Sequence, residues 1–381
     1  MPSDPAARLD VDRILADRGV RIVVCCGAGG VGKTTTAAAL ALRAAERHGR
    51  RTVVLTIDPA RRLAQSLGLT ELDNTPRQVK GIDSRASGGE LHAMMLDMKR
   101  TFDDVVLAHT DPAKAAEIFA NPFYQAMSST FAGTQEYMAM EKLGQLHARD
   151  EWDLIVVDTP PSRSALDFLD APARLSRFLD GRMLRLLLAP ARTGGRSVLN
   201  LVTASFGMFS RVVQKVLGAQ LITDLSGFVA ALDSMFGGFR QRAEQTYRIL
   251  QDRETAFLLV AAPEPDAVRE AAYFATRLGE ERMPLAGLVL NRVHRTATES
   301  PTVEESLAAA ERLAALGGHD ATVETLRAHA ALARQAAREQ QVAATFTERF
   351  PQVPTVEVAA QPVDVHDIDG LRTIGAAISC W

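Results

Sequence analysis

A glycine-rich segment directly follows a short apolar run and limits the folds that are open to this chain. The run "VRIVVCC" (20–26) leads into "GAGGVGKT" (27–34), and an Ala-rich segment of helical period comes next. Continuous apolar runs are typical of strands that are buried on both faces of a parallel sheet. The second segment matches the pattern G-x-x-x-x-G-K-[ST], in the strand–loop–helix context that this pattern requires. The sequence therefore predicts a phosphate-binding loop.

Each residue type in this loop has a chemical reason. Glycines let successive backbone N–H groups turn toward an anion, and the helix N-terminus adds its dipole. Lys33 would place a compact positive charge between the β- and γ-phosphates, and the Thr34 hydroxyl would bind Mg²⁺. Lysine stands out here because only six of the 43 basic residues are lysines. We predict that MgATP contacts Gly29, Gly30, Val31, Gly32, Lys33, Thr34 and Thr35.

Six further apolar runs predict the other strands of an α/β sheet. They lie at 52–57, 91–96, 152–158, 255–262, 284–291 and 353–358. Segments of helical period separate several of them, and this alternation is typical of βαβ units with helices on both faces of the sheet. We predict a P-loop NTPase fold, in which helices flank a mostly parallel sheet. The Ala-rich stretch 303–346, divided at "GGHD", predicts a helical hairpin on this core.

Two long helical stretches interrupt the alternation. Residues 97–148 are rich in methionine and phenylalanine, and residues 164–252 show helical period again. We interpret the two stretches as one inserted α-helical subdomain. The predicted P-loop ATPase core then consists of residues 1–96, 149–163 and 253–381.

Two aspartates follow strands of the predicted sheet. Asp158 ends the run "LIVVD", and Asp58 comes directly after "TVVLTI". The carboxyl ends of parallel strands meet at one edge, so both residues belong to the edge that carries the loop. Asp158 stands where P-loop NTPases hold Mg²⁺ or its water, although a strand-ending aspartate can also cap the next helix. Asp58 could orient the attacking water.

Several segments together resemble one family, the ArsA-type ATPases. They are "GAGGVGKTTTAAALAL", "LTIDPARRLAQSLGL", "DTPPSRSALDFL" and "PEPDAVREAAYFATRLGEERMPLAGLVLNRV". This family includes the arsenite-pump ATPase subunit and the ATPase that targets tail-anchored membrane proteins. The resemblance covers nearly the whole chain and implies an enzyme that hydrolyses ATP.

The resemblance also implies roles for individual residues. Asp58 would be the catalytic aspartate of switch I, and Asp158 would be the metal carboxylate of switch II. We therefore predict Lys33 and Asp58 as catalytic residues, and Thr34, Asp58 and Asp158 as the Mg²⁺ site.

The base of the nucleotide would lie between two loops at the same edge. By resemblance, Asn291 would hydrogen-bond the adenine edge, and the backbone around Ala360, Gln361 and Pro362 would line the ring. Asn291 has an equally simple alternative, because an asparagine at the end of a strand often starts a turn.

Ala28 is the clearest departure from the family pattern. The family loop commonly has a lysine there, which reaches across a dimer to the partner's nucleotide. The chain also has one P-loop, whereas arsenite-pump subunits carry two, so a dimer is expected. We predict a heterodimer with a homologous ATPase subunit that keeps this signature lysine.

The cysteines separate this chain from the metal-binding members of the family. Cys25 and Cys26 are adjacent and Cys380 is the penultimate residue, so no CxxC pair exists. The cysteines that bind zinc or arsenite in family members are therefore missing. We interpret Cys25 and Cys26 as buried strand residues.

The second helical stretch carries an apolar face at helical spacing. This face consists of Leu225, Phe228, Leu232, Met235 and Phe236, and eight basic residues precede it within 174–215. These helices could simply pack on one another. They could also form a groove with a basic rim for an apolar client such as a membrane-protein helix or lipid, as in the tail-anchor members of the family.

Composition excludes several other classes of protein. A net charge of −3 argues against a dedicated nucleic-acid binder. There is no apolar run of about 18 residues and no signal-peptide pattern, so we expect a cytoplasmic protein that is not integral to a membrane. The leading prediction is an ATP-driven switch that opens or closes a client groove. The alternatives are the energising subunit of an anion or arsenite efflux pump and a positioning ATPase of the ParA or MinD type.

Overall fold

The computed structural model describes residues 8–58, 62–83, 85, 87–121, 124–125, 134–160, 241–297 and 300–379. The chain divides into two compact units. The first comprises Met1–Met95, Arg149–Leu166 and Ile249–Trp381, and the second comprises Leu96–Ala148 and Asp167–Arg248. Residues 164–240 of the expected helical insertion lie outside the described part of the chain, so its predicted boundaries stay a prediction.

The first unit contains a mostly parallel sheet. Its eight strands in the described residues are β1 (Ile22–Cys26), β2 (Arg51–Thr56), β3 (Arg77–Gln78), β4 (Glu90–Met95), β5 (Leu154–Asp158), β6 (Thr255–Ala261), β7 (Leu285–Val293) and β8 (Thr355–Ala359). Their order is β3-β4-β2-β5-β1-β6-β7-β8, and only β3 pairs in the antiparallel sense. The seven predicted strands are confirmed. Sequence patterning missed β3, because two residues are too few to show a period.

Ten helices with defined bounds lie in the described residues. They are α1 (Val11–Ala16), α2 (Lys33–His48), α3 (Arg62–Ser66), α4 (Met98–His109), α5 (Pro112–Ala120), α6 (Thr134–Ala148), α7 (Pro265–Glu280), α8 (Val303–Leu316), α9 (Asp320–Arg349) and α10 (Ile368–Ser379). The predicted hairpin is α8 and α9, which are joined at Gly317 and Gly318. A reciprocal capping box between Thr302 and Glu305 begins α8. No described helix is both long enough and apolar enough to cross a membrane.

The core explains the continuous apolar runs of the sequence. Every residue of β1, β5 and β6 is buried, as expected for central strands that are covered on both faces. Val23, Val54 and Val156 belong to one apolar cluster with the alanines of α2 and with residues of α10. The small alanine side chains let α2 pack closely on the sheet. This packing fixes the helix N-terminus at the carboxyl edge of the strands.

The second unit is helical in its described part. Asp97 and Asp111 cap the first turns of α4 and α5 by accepting hydrogen bonds from backbone N–H groups. Within this unit Glu141 of α6 pairs with Arg242 at 3.0 Å. Met138 and Met140 of α6 are buried. These two methionines therefore belong to the interior of the unit.

Candidate functional site

The glycine-rich segment forms a tight loop between β1 and α2. Gly27 has φ +151°, and a Cβ there would overlap the Val260 carbonyl oxygen. Gly32 has φ +96°, and a Cβ there would overlap the side-chain nitrogen of Asn291. Both the left-handed backbone and the crowding demand glycine. The loop thus depends on β6 and β7 as well as on its own sequence.

Lys33 is the first residue of α2 and is enclosed by its own loop. Its side chain is only 6% exposed, and Nζ donates a hydrogen bond to the Ala28 carbonyl oxygen at 2.7 Å. Burial lowers the pKa of Lys33, and the negative charges of Asp158, Glu270 and Asp58 act in the opposite direction. A compact ammonium group fits this enclosure, whereas the planar fork of an arginine needs more room.

The Asp158 carboxylate lies at the centre of a hydrogen-bonded set. Oδ2 accepts hydrogen bonds from the hydroxyls of Thr34 and Thr56, each at 2.8 Å. Burial raises the pKa of Asp158 to about 6, against the effects of these two hydroxyls and of Lys33. The structure thus brings together the loop threonine and the strand-ending aspartate.

These side chains fit a magnesium ion. Asp158 Oδ1 is buried and has no hydrogen-bond partner among the described residues. A buried carboxylate oxygen without a partner is costly, and a cation removes that cost. Hydroxyl and carboxylate oxygens are also the donors that Mg²⁺ prefers. Thr34 and Asp158 would hold the ion, and it would neutralise charge on the phosphates.

Asp58 follows β2 at the same edge of the sheet. Its backbone N–H donates to Thr56 Oγ1 at 3.2 Å. The negative charge of Asp58 acts to raise the pKa of both Lys33 and Asp158. Sequence reasoning missed Thr56, which connects Asp58 to Asp158. A signal was present in "LTIDP", because a threonine that ends a buried strand needs a partner for its hydroxyl.

Asn291 lies against the phosphate loop. It is 9% exposed, and Nδ2 donates to the Val31 carbonyl oxygen at 2.9 Å. This residue belongs to β7, so it does more than start a turn. The hydrogen bond uses one of the two amide N–H groups. The contact of Asn291 with adenine stays a prediction.

The other predicted base contacts lie in the loop after β8. Gln361 donates from Nε2 to the Ala359 carbonyl oxygen at 3.0 Å, and Pro362 is exposed. The Ala360 N–H donates to the Val293 carbonyl oxygen at 3.0 Å, which joins this loop to the end of β7. The predicted groove residues lie outside the described part of the chain: Leu225, Phe228, Leu232, Met235 and Phe236.

The two cysteines beside the loop are structural. Cys25 and Cys26 lie in β1 and are fully buried or nearly so. Burial raises the pKa of the Cys25 thiol well above its ordinary value and that of Cys26 to about 12. Both stay protonated at neutral pH, which makes them poor nucleophiles and poor metal ligands.

Comparisons with known proteins identify the family of this chain. The sequence model of a family described as anion-transporting ATPase matches residues 20–311. The chain is 26% identical to "ATPase GET3C" of Arabidopsis thaliana, over 70% of this chain and 65% of that protein. It is 30% identical to "Uncharacterized protein SCO2128" of Streptomyces coelicolor, over 66% of this chain and 57% of that protein. The matched region thus spans less than two thirds of either relative.

A third relative carries a transport-related name. The chain is 30% identical to "Putative arsenical pump-driving ATPase" of Prosthecochloris vibrioformis, over 41% of this chain and 37% of that protein.

Proposed function

This chain belongs to the anion-transporting ATPase family, and on that premise we propose that it binds MgATP and hydrolyses it. The resemblance to ArsA-type ATPases is confirmed by the family match. One observation carries the proposal: Lys33, Thr34 and Asp158 meet at one edge of the sheet, where the Thr34 hydroxyl bonds the Asp158 carboxylate at 2.8 Å. This arrangement combines a phosphate-binding cation with a metal-binding carboxylate.

The residues of the site would divide the work of hydrolysis. The backbone N–H groups of the loop and the Lys33 ammonium would bind the phosphates, and they would balance charge that develops on the γ-phosphate. The Asp58 carboxylate would accept a hydrogen bond from the attacking water and orient it. Thr56 would fix the position of Asp58 relative to Asp158, because its hydroxyl bonds both residues.

Two substitutions test this proposal. We expect Lys33→Ala to abolish MgATP binding in a calorimetric titration. We expect Asp58→Asn to retain binding and to slow steady-state turnover by ~10² or more. Lys80→Ala, which removes an exposed lysine, is the matched control, and it should change neither MgATP binding nor turnover. Unchanged turnover in Asp58→Asn would refute the role of Asp58, and MgATP binding by Lys33→Ala would refute the site.

The oligomeric part of the proposal depends on Ala28. A family lysine at this position acts across a dimer, and the alanine here is only 8% exposed and has no charge to offer. We therefore infer a dimer in which a homologous subunit supplies the lysine. The nucleotide bound to this chain would lie between the two subunits, and hydrolysis would change the contacts between them.

ATP hydrolysis by this chain would drive one of two processes. The first is capture of a membrane-protein or lipid-like client by an apolar groove, for which the spacing of Leu225, Phe228 and Phe236 is the support. The second is the energising of an anion pump, which the name of the Prosthecochloris relative favours. Identifying the proteins that co-purify with the native complex from the membrane fraction and from the membrane-free fraction distinguishes them. A pump subunit should be recovered with its integral partner in the membrane fraction, whereas a chain that shields a client should be recovered with that client in the membrane-free fraction.

A further inference from the structure

The end of β7 contains a bulge beside the phosphate loop. In the pairing with β8, Leu290 stands opposite Glu357 and Val293 stands opposite Ala359. Two residues of β7, Asn291 and Arg292, therefore face a single residue of β8. Bulges of this kind re-aim side chains and occur often beside functional sites.

The bulge has a strained backbone. Arg292 has φ +62°, the left-handed conformation that a residue with a Cβ rarely adopts. This conformation is unfavourable and persists only where the surrounding structure imposes it. The bulge gives its two residues different surroundings. The Asn291 side chain reaches the Val31 carbonyl oxygen, whereas Arg292 is exposed.

A carboxylate on α9 holds the chain just after the bulge. The His294 backbone N–H donates to Glu339 Oε2 at 2.8 Å, and the His294 ring Nδ1 lies 2.8 Å from Oε1. Gln335, one turn earlier on the same helix, donates to Oε1 at 2.9 Å. Burial acts to raise the pKa of Glu339, but the hydrogen bonds from His294 and Gln335 outweigh it and the pKa is lowered. Glu339 is therefore a charged acceptor, which strengthens each of these bonds.

Relaxation of the bulge would move Asn291 away from the loop. Asn291 and Arg292 are the two residues of the bulge, so regular pairing would require new backbone angles at both and would redirect the Asn291 side chain. The hydrogen bond from Ala360 holds the bulge on the side of β8, and Glu339 holds it on the side of α9. Without the second anchor, the left-handed strain at Arg292 favours a regular strand.

We propose that Glu339 is a positioning residue of the nucleotide site, which holds the β7 bulge so that Asn291 supports the phosphate loop at Val31. This proposal rests on the proposed nucleotide site and extends it to a residue of the helical hairpin. In this role Glu339 acts through its hydrogen bonds to His294 and through Asn291, and not by binding the nucleotide itself.

A double-mutant cycle on the full-length chain tests this role. Glu339→Ala should weaken MgATP binding by about tenfold, the factor that corresponds to the net contribution of one hydrogen bond, because the loop loses the support of Asn291 at Val31. Asn291→Ala should weaken it similarly, and Glu339→Ala added to Asn291→Ala should change nothing more. Glu339→Gln should retain part of the affinity, because an amide oxygen still accepts from the His294 N–H. Glu348→Ala, an exposed glutamate on the same helix, is the control.

A second readout does not need nucleotide. Hydrogen exchange at the backbone amides of residues 28–33 should become faster in Glu339→Ala and stay unchanged in Glu348→Ala. Additive losses of affinity in the cycle, or unchanged exchange in the loop, would overturn the role of Glu339 and leave the proposed function intact. Failure of the wild-type chain to bind MgATP would overturn the proposed function, and the exchange measurement would still decide whether Glu339 orders the loop.

Discussion

At the scale of single residues, two glycines of the phosphate loop differ in the space around them. Gly30 and Gly32 both have left-handed backbones, with φ +77° and +96°. A Cβ on Gly30 would meet no atom within 4 Å, whereas a Cβ on Gly32 would overlap the Asn291 amide. The two positions therefore separate the cost of backbone strain from the cost of crowding the loop.

We expect Gly32→Ala to weaken MgATP binding much more than Gly30→Ala does. Backbone strain of roughly 1–2 kcal/mol is common to both substitutions, but only the first displaces Asn291. Adding Asn291→Ala to Gly32→Ala should restore part of the affinity, because it removes the overlapping group. Calorimetric titration of the four proteins measures this, and equal losses in the two glycine variants would contradict it.

Thr56 is a second single residue with a defined effect. Its hydroxyl accepts from the Asp58 N–H and donates to the Asp158 carboxylate. Thr56→Val has nearly the same shape and removes both bonds. We expect a loss of about 10- to 100-fold in the Mg²⁺ affinity of the nucleotide complex, as is typical when a partner of a metal ligand is lost.

Thr52→Val supplies the control for this prediction. Thr52 is a buried threonine of the same strand, and its hydroxyl donates to the Arg50 carbonyl oxygen, away from the site. Mg²⁺ titrations of ATPase activity should separate the two valine variants, and Thr56→Ser should behave like the wild type. Equal Mg²⁺ dependence in Thr56→Val and Thr52→Val would show that Thr56 is only a core residue.

At the scale of elements, Arg50 joins several segments at the opposite end of the sheet from the site. Its side chain is fully buried. It donates to the carbonyl oxygens of Leu15, Asp17, Val20 and Asp153, which belong to the end of α1, the turn after it and the approach to β5. Burial lowers the pKa of Arg50 to about 10, so the guanidinium stays charged at neutral pH.

We expect Arg50→Met to destabilise the protein strongly. The substitution fills a similar volume but removes the charged donor of four carbonyl oxygens, of which, in the described part of the chain, only that of Asp17 still accepts from the Val20 N–H. Each buried acceptor that is left without a partner costs about 1–3 kcal/mol. Arg51→Met is the matched control, because Arg51 is exposed and its ion pair with Glu90 contributes little. Thermal denaturation should show a large loss of Tm for the first variant only. Similar Tm values for both variants would refute the structural role of Arg50.

At the scale of the whole molecule, Ala28 predicts that ATP turnover depends on a second subunit that supplies a lysine. We expect the purified chain alone to turn over MgATP slowly. Its activity should rise when a subunit that carries a lysine at this position is added, because the added charge would act on the phosphates in trans. Full activity of the wild-type chain alone would remove the reason for a heterodimer.

A complementation experiment makes this prediction specific. A chain with both Ala28→Lys and Lys33→Ala should not bind nucleotide itself, but it would bring the lysine to a partner. Mixed with the wild-type chain, it should raise turnover above that of either chain alone. The Lys33→Ala chain without the added lysine is the control, and equal stimulation by both would show that the lysine does not act across the interface.

Much of the fold could be predicted because its signals are local. The run "VRIVVCC", the spacing from Gly27 to Thr34 and the period of the Ala-rich hairpin each lie within one short segment. Strand β3 could not be predicted in this way, because Arg77 and Gln78 form too short a segment to show a pattern. The two aspartates of the site were predictable because both end apolar runs, and a parallel sheet brings such ends to one edge.

The amino-acid sequence was sufficient to predict the glycine-rich loop, seven of the eight strands in the described residues and the family. These features follow from residue type and spacing over a few positions. Three contacts are visible only in the folded chain. They join Asn291 to Val31, which is 260 residues earlier, Thr56 to Asp158, and Glu339 to the His294 backbone. Such contacts depend on strand register and on the packing of distant helices, and no local pattern of residues encodes either of them.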